Sequence, residues 1–375
     1  MKILTLVSSG LNRPSPERAV VLEKNDEIPR ITLYQRYLES DMLDQRFMAT
    51  RVPGWRKLLY RFVPNPLDQV IEAWFVKKKY DVVITWAERL GLPFALLLKL
   101  TGSRIPHVTL SSWISGGKKA SMLKHTHSHI SRILMWSSVQ RDYALNVLGI
   151  PPGKITFIRK FADQKFWRPM DVETDMICSV GVEMRDYPTL IEAMRGLDIR
   201  CHIAAGLNRG VMYDTVAAIG RSGELPANVT VGKKRYGDLR DLYARSRFVV
   251  IPLRASDTDN GLTCMLEAMA MGKAVICSRI AGQVDVLQDG VTGIFVPRGD
   301  PAALRRAILD LWNDPARAAE LGRNAREFLL KHHTIEQFVE SVRRVAEEVS
   351  GRTGDPPPTL DPERDVRMET AGLRT

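Results

Sequence analysis

The stretch FVVIPLRASDTDNGLTCMLEAMAMGKAVICS, residues 248–278, carries the local pattern that decides the fold. A buried apolar run ends at Leu253, a polar loop follows, and Gly261 lets the backbone turn before a run of strong helix formers begins near Leu262. A second apolar run, KAVICS, follows the helix. Strand, helix and strand in this order indicate an α/β protein with a functional loop at the end of the first strand.

The same alternation of apolar runs and amphipathic stretches continues along most of the chain. It predicts an α/β fold with parallel sheets covered by helices on both faces. There are more strands than one open doubly wound domain usually needs, so we expect two sheets. The strands are predicted at residues 3–7, 80–86, 105–110, 133–137, 175–181, 199–206, 227–232, 247–253, 273–278 and 292–297.

The domain boundary is predicted in the charged, aperiodic segment 158–172. We therefore assign residues 1–165 to an N-terminal domain and residues 166–350 to a C-terminal domain, whose last helix is expected to cross back. Residues 351–375 are rich in Pro, Gly, Asp and Arg, and we expect a mobile tail there.

Composition limits the compartment and the class of protein. Four cysteines without a CxxC pair predict neither a disulfide framework nor a cysteine zinc site, which fits a reducing cytoplasm. The longest apolar stretch, residues 90–100, contains a proline and a lysine and is shorter than the roughly 20 residues of a membrane-spanning helix. The start of the chain has no apolar core of signal-peptide length. We therefore expect a cytoplasmic protein.

The positive charge lies in the first half of the chain. Residues 1–170 carry 27 Lys+Arg against 13 Asp+Glu, whereas residues 171–375 carry 27 against 30. Basic and aromatic residues cluster within residues 52–81, a pattern typical of peripheral contact with an anionic membrane. We expect such contact at the inner membrane face. The alternative is that the aromatic residues belong to the core and that the lysines lie at a solvent-exposed end. Nucleic acid is not an expected partner, because no binding motif accompanies the charge.

The loop and helix start within residues 248–278 predict a phosphate-binding turn. The first helical turn has free N–H groups and the positive end of the helix dipole, and the hydroxyl of Thr263 adds a donor. Glu267 lies one turn further on the same face, where its carboxylate can accept both hydroxyls of a ribose. The alternative for Glu267 is a solvated helix residue. Asp259 is placed to reach the sugar side of a bound diphosphate.

The chain also resembles a known family. The likeness is to GT-B glycosyltransferases, especially family four, the retaining hexosyltransferases that use nucleotide sugars. It implies two Rossmann-like doubly wound domains facing across a cleft, the first for the acceptor and the second for the donor. The likeness is continuous from about Ser137 to Val345, whereas residues 1–136 match only in pattern. The segments that carry it are residues 137–169, 178–194, 239–253 and 259–304.

The resemblance implies roles on the donor side. Asp259 stands where the family usually has the first of two motif glutamates, and Glu267 matches the second. Val182 stands where arginine is common, so Arg185 is the nearest cation for the diphosphate; Asp259 and Arg185 are the implied catalytic residues. The implied donor-binding residues are Gly181, Arg185, Asn260, Gly261, Leu262, Thr263 and Glu267.

On the acceptor side the family often has a histidine at the end of a strand, but Ser111 or Ser112 stands there, and His107 is expected to point elsewhere. The resemblance implies that the leaving diphosphate receives the acceptor's proton, so no general base is assigned. No metal or other cofactor is expected, because helix amides and cations neutralise the diphosphate. The acceptor-side candidates are at strand ends: Ser9, Gly10, Glu88, Ser111 and Trp113.

The sequence and the resemblance together predict a retaining glycosyltransferase. It is expected to move a hexosyl group from a UDP- or GDP-linked sugar to an acceptor hydroxyl, with lipid-linked or cell-envelope glycans as expected acceptors. Two alternatives stay open at this point: a nucleotide-sugar epimerase of the same fold, and a non-catalytic subunit that binds sugar nucleotides.

Overall fold

The protein is described by a computed structural model that covers residues 1–8, 14–205, 219–220 and 223–352. It contains two parallel six-stranded sheets, which confirms the predicted α/β class and the two Rossmann-like domains. Each predicted strand is present. Most of the predicted tail, from residue 353 onward, lies outside the described residues.

The first sheet has the strand order β2-β1-β3-β4-β5-β6, and its neighbouring strands are parallel. The second and sixth strands were not predicted, because both are short edge strands without a long apolar run. The strands are β1 Ile3–Leu6, β2 Ser40–Leu43, β3 Val82–Trp86, β4 His107–Leu110, β5 Arg132–Met135 and β6 Ile155–Phe157.

The second sheet has the order β12-β11-β10-β7-β8-β9. In each sheet the chain first builds outward in one direction and then returns to the other side of its first strand, which creates a switch point where ligands of open α/β sheets bind. These points lie between β1 and β3 and between β7 and β10. The strands are β7 Met176–Val180, β8 Arg200–Ala204, β9 Val229–Val231, β10 Ser246–Ile251, β11 Ala274–Arg279 and β12 Gly293–Pro297.

Helices cover both sheets, and within the described part of the chain none is long and apolar enough to cross a membrane. The carboxylates of Asp300 and Asp314 accept backbone N–H bonds at the starts of two of them, and each cap is followed by a proline. The helices are α1 Pro16–Lys24, α2 Leu33–Leu38, α3 Gln45–Thr50, α4 Gly54–Tyr60, α5 Leu67–Val76, α6 Glu88–Leu100, α7 Gly117–Thr126, α8 Ser138–Asn146, α9 Tyr187–Met194, α10 Tyr236–Arg245, α11 Leu262–Ala270, α12 Pro301–Asn313, α13 Pro315–His332 and α14 Ile335–Ser350.

The last helix, α14, packs on the first sheet although it follows the second in sequence. Phe338 is 2% exposed, and its ring centroid lies 4.5 Å from that of Phe161 and 5.7 Å from that of Trp86. At the start of α14, Arg30 bridges Asp163 and Glu336, with N···O distances of 2.6 and 2.8 Å. These contacts anchor the C-terminal end of the described chain, α14, on the first sheet.

Replacement of Phe338 by alanine tests this anchor. Because the ring is buried among aromatic side chains, we expect the free energy of unfolding to fall by about 3–5 kcal/mol, measured by urea unfolding with circular dichroism. The matched control is Phe62→Ala, since Phe62 is 83% exposed and its loss should change stability by less than about 0.5 kcal/mol. Equal effects of the two changes would contradict the anchoring role of α14.

Candidate functional site

The site is built on the turn between β10 and α11, at the switch point of the second sheet. Gly261 caps α11 with φ of +88°, in the left-handed region that favours glycine. A Cβ at this position would lie 2.9 Å from Cγ2 of Ile251 and 3.5 Å from Cδ2 of Leu253. Both the backbone conformation and the packing therefore require glycine. No side chain caps the helix, but the amide of Leu262 donates to the carbonyl of Asp259 at 3.2 Å. The first-turn amides after Leu262 are therefore the ones available to an anionic ligand.

The loop before this turn is held by its neighbours. The side-chain amide of Asn260 donates to the hydroxyl of Ser256 at 2.7 Å, and the side-chain amide of Gln283 donates to the carbonyl of Asn260 at 2.9 Å. Gly282 packs so closely on the backbone of Thr258 that a Cβ would collide with it. Asn260 therefore shapes the loop through its side chain. The sequence patterns did not identify Gln283 and Gly282 as supports of this loop.

Glu267 lies on α11 and is only partly exposed. The buried hydroxyl of Tyr243 donates to its Oε2 at 3.0 Å. Loss of water raises the pKa of Glu267 to about 7, against the opposing effects of the Tyr243 hydrogen bond and the positive charge of Lys160. Glu267 is thus a desolvated, oriented acceptor beside the open helix turn, and Thr263 is exposed at that turn.

Asp259 lies in the loop and is also partly exposed. Its Oδ1 lies 3.1 Å from the hydroxyl oxygen of Thr258, whereas its Oδ2 is buried and, among the described residues, has no hydrogen-bond partner. Burial raises the pKa of this carboxyl, and the charge of Lys160 opposes the rise. A buried acceptor without a partner is costly, so Oδ2 is an atom that a ligand hydroxyl would satisfy.

Arg185 lies behind the turn and is 4% exposed. Its Nε donates to the carbonyl of Val180 at 3.0 Å, its Nη1 to the carbonyl of Glu183 at 2.7 Å, and its Nη2 to Sγ of Cys264 at 3.0 Å. These bonds join the end of β7 to the first turn of α11. The guanidinium thus braces the phosphate turn from inside the protein, and direct contact with a diphosphate stays a prediction.

Gly181 and Leu262 complete the predicted donor-side set. Gly181 has φ of +105°, and a Cβ there would collide with the guanidinium of Arg185. Its carbonyl accepts a hydrogen bond from the hydroxyl of Tyr187 at 2.6 Å. Leu262 is 2% exposed, so its side chain belongs to the core, and its backbone N–H already donates to the carbonyl of Asp259 at 3.2 Å.

Lys160 is a cation that the sequence patterns missed. It follows β6, in the segment that connects the two sheets, and its charge acts on both Asp259 and Glu267. Its Nζ lies 5.4 Å from the centre of the Trp136 ring. A lone lysine in a connecting segment has no motif to mark it, and only the fold brings it beside the two acids.

The acceptor-side candidates fall into two groups. Glu88 is buried and forms a 2.7 Å ion pair with Lys119, whose Nζ also donates to the carbonyl of Trp113 at 3.2 Å. Ser111 is 1% exposed, and its buried Oγ has no partner among the described residues. These three candidates lie around one corner of the first sheet. Ser9 and Gly10 are outside the described residues.

His107 is fully buried, as 0% of it is exposed. Its Nε2 lies 3.0 Å from Oγ1 of Thr85, and burial lowers its pKa to about 3. It therefore belongs to the core of the first sheet. Within the described ranges, no group of three or more His, Cys, Asp or Glu side chains is arranged to hold a metal ion.

Gln140 joins the two sides of the site. It is fully buried, and its Oε1 accepts from the amides of Ile114 at 2.8 Å and Ser115 at 3.1 Å. Its Nε2 donates to the carbonyl of Asp257 at 2.9 Å. Nearby, the hydroxyl of Thr258 donates to the carbonyl of Ser112 at 2.9 Å. The loop that carries Asp259 is thus attached to the loop after β4.

Comparisons with known proteins agree with this architecture. Residues 181–314 match the sequence model of the family described as Glycosyl transferases group 1. An uncharacterized glycosyltransferase of Methanocaldococcus jannaschii is 27% identical over 180 residues, which is 48% of this chain and 49% of that protein. The lipopolysaccharide core biosynthesis mannosyltransferase LpcC of Rhizobium leguminosarum is 30% identical over 149 residues, which is 40% of this chain and 36% of that protein. The chain spans about half or less of the length of these relatives.

The fold comparison extends over almost the whole chain. The crystal structure of Anabaena HepE in complex with UDP-glucose matches with a TM-score of 0.69 at 16% sequence identity, over 93% of this chain and 100% of that one. At this identity the likeness shows the fold. Together with the family match over residues 181–314, it supports the part of the resemblance that concerns GT-B glycosyltransferases in general.

Replacement of Gln140 by glutamate tests the attachment between the two loops. Glutamate keeps an acceptor for the amides of Ile114 and Ser115 but places an oxygen against the carbonyl of Asp257. We therefore expect amides of residues 256–260 to exchange hydrogen at least several-fold faster in an exchange experiment read by mass spectrometry. Ser115→Ala is the control, because it removes only the 3.2 Å bond from Gln140 to the Ser115 hydroxyl. Unchanged exchange in the glutamate variant would show that the attachment does not hold the loop.

Proposed function

We propose that the protein is a retaining glycosyltransferase that moves a hexosyl group from a UDP- or GDP-linked sugar to the hydroxyl of a lipid-linked or cell-envelope glycan acceptor. The observation that carries the proposal is the first turn of α11 after Gly261, which no side chain caps, with Glu267 one turn below it and Asp259 just before it. This arrangement combines an anion site with two oriented acceptors for hydroxyl groups.

The donor is proposed to bind with its diphosphate on the first turn of α11. The helix dipole and the charge of Lys160 offset the negative charge there. Glu267, held by Tyr243, accepts the ribose hydroxyls. The unpaired Oδ2 of Asp259 accepts a hydroxyl of the transferred sugar. The complex of Anabaena HepE with UDP-glucose supports a nucleotide sugar as the class of donor.

In the proposed reaction, the acceptor oxygen forms a bond to the anomeric carbon while the bond from that carbon to the diphosphate oxygen breaks. Attack on the face that the diphosphate leaves retains the anomeric configuration. The proton of the acceptor hydroxyl passes to the leaving diphosphate oxygen, so the protein needs no general base. The contribution of the protein is to position both substrates and to stabilise the charge that develops on the leaving group.

The acceptor is proposed to bind on the side of Glu88, Ser111 and Trp113. The glycan acceptor class rests on the rhizobial relative, a mannosyltransferase of lipopolysaccharide core biosynthesis. No metal or other cofactor enters the proposal, because the open helix turn and Lys160 supply the positive potential at the diphosphate.

One alternative has specific support. A subunit that binds sugar nucleotides without transfer is favoured by the shorter acid at Asp259 and by the engagement of all three guanidinium nitrogens of Arg185 with the protein. It predicts binding of a nucleotide sugar with neither transfer nor slow hydrolysis. An epimerase, in contrast, would convert the donor sugar without any acceptor.

A panel of UDP- and GDP-sugars tests the proposal. A ligand that binds only the folded protein raises the melting temperature, so a thermal-shift screen selects the donor. The selected donor is then incubated with and without glycan acceptors, and the products are read by NMR at the anomeric carbon. Transfer with retention is the expected result. Inversion, epimerisation without acceptor, or binding without turnover would each contradict the proposed reaction.

The pH dependence of donor binding tests the role of Glu267. The pKa of this carboxyl is raised to about 7, and ribose hydroxyls donate to its ionised form. Affinity should therefore rise by up to about tenfold between pH 6 and 8. A nucleotide sugar is the probe in calorimetry, because its diphosphate diester does not titrate in this range.

Two variants separate charge from packing in the same titration. Glu267→Gln keeps the shape and should bind weakly with little dependence on pH. Glu267→Ala should weaken binding by about 1.5–3 kcal/mol, the expected cost of losing charge-assisted hydrogen bonds. Wild-type affinity in both variants would contradict the assignment of Glu267 to the ribose.

A further inference from the structure

Helix α4 and the residues after it expose an unusual amount of apolar surface. Trp55 and Leu58 are each 65% exposed, Leu59 is 50% exposed, and Phe62 is 83% exposed. Phe75 on α5 is 41% exposed and extends the same surface, because its ring centroid lies 6.2 Å from that of Trp55. These five residues are called the apolar patch below. Clustered exposed apolar side chains of this size mark an interaction surface.

The patch is exposed because α4 contacts α5 through the polar groups of Arg56 and Tyr60. The hydroxyl of Tyr60 donates to Oε2 of Glu72 at 2.8 Å, and Nη2 of Arg56 donates to Oε1 of the same carboxylate at 2.9 Å. Glu72 is 1% exposed and lies on α5. A buried ionic network therefore fixes α4 on α5 and leaves its leucines and tryptophan facing outward.

The aromatic part of the patch is ordered before any partner binds. Trp55 and Phe75 meet edge to face, with an interplanar angle of 80°. The guanidinium of Arg56 lies 5.4 Å from the centre of the Trp55 ring and 5.3 Å from the centre of the Phe75 ring. Because the rings are held by a buried ion pair and cation–π contacts, little side-chain entropy is lost on docking.

The segment that carries most of the patch is basic, although Arg51 pairs with Asp41 at 3.8 Å and Arg56 pairs with Glu72 at 2.9 Å. Residues 51–67 contain four basic residues and no acidic one. Lys57 and Arg61 are exposed on α4 and just after it, and Lys78 and Lys79 are exposed after α5. Aromatic and leucine side chains surrounded by cations are the combination that binds the interface of an anionic bilayer, with apolar groups at the acyl boundary and cations at the lipid phosphates.

We propose that the apolar patch docks the protein on an anionic membrane surface, with Trp55, Leu58, Leu59 and Phe62 inserted at the headgroup boundary. A second copy of the chain fits this face less well, because a symmetric contact would bring the surrounding like charges together. The two alternatives from the sequence each hold for some of these aromatic residues. Tyr60 is buried and Trp74 packs against the core, whereas Trp55 and Phe75 are exposed. The proposal rests on this surface and goes beyond the transfer reaction.

Vesicle sedimentation without any nucleotide sugar tests the proposal. The full chain is mixed with vesicles of phosphatidylcholine alone or with about a third phosphatidylglycerol, in low and high salt. We expect binding to the anionic vesicles that weakens as salt rises. Leu58→Ser/Phe62→Ser should lower partitioning by at least tenfold, since the hydrophobic contribution scales with the apolar area inserted.

Matched control variants remove the same amount of apolar or charged surface from parts of the protein outside the apolar patch. Val147→Ser/Leu330→Ser changes two exposed apolar residues on other elements and should bind like the wild type. Lys57→Gln/Arg61→Gln should remove most of the preference for anionic lipid, whereas Arg298→Gln/Arg306→Gln, at exposed positions of the second half, should keep it. Circular dichroism spectra of all variants confirm folding.

Two results would overturn the proposal. One is wild-type protein that stays in the supernatant with anionic vesicles, or a Leu58→Ser/Phe62→Ser variant that binds them as well as the wild type. The other is sedimentation velocity that shows a dimer of the wild type and a monomer of this variant, which would assign the patch to self-association. Because no donor is present, neither result bears on whether the protein transfers a sugar.

Discussion

The left-handed turn at Gly261 is the constraint on which the rest of the site depends. With φ of +88° and no room for a Cβ against Ile251, it starts α11 directly behind β10 and leaves the first helical turn open. Arg185 holds this turn through the carbonyl of Val180 at the end of β7 and the thiol of Cys264, and the side chain of Gln283 holds it through the carbonyl of Asn260. The positions of Glu267 and Asp259 follow, because one lies on the helix and the other in the loop that the turn joins.

The local parts of this arrangement are readable from the sequence, whereas its long-range supports are not. The apolar runs and the glycine before a helical segment predict the strands, the turn and the face shared by Thr263 and Glu267, because these depend on neighbours in the chain. The short edge strands β2 and β6 are not predicted, because their formation depends on pairing with the neighbouring strands of the sheet. Lys160 and Gln140 were missed for the same reason: each is an ordinary residue, and the group it meets on the second half of the chain is about a hundred or more positions away.

The contacts between the halves suggest how the proposed reaction is organised. α14 returns to the first sheet and places Phe338 in its core, while Gln140 and Thr258 tie the donor loop to the loop after β4. The donor and acceptor sides are thus joined at the point where the reacting atoms would meet. The apolar patch lies on α4 and α5, which cover the first sheet, so the proposed membrane docking and the proposed donor binding use separate surfaces.

A crystal structure with a nucleoside diphosphate bound tests the central claim most directly. The account predicts the two phosphates against the backbone amides that follow Gly261 and the ribose hydroxyls within hydrogen-bond distance of the Glu267 carboxylate. A nucleotide bound in a different crevice, or a Glu267 carboxylate turned to bulk solvent in the complex, would contradict it.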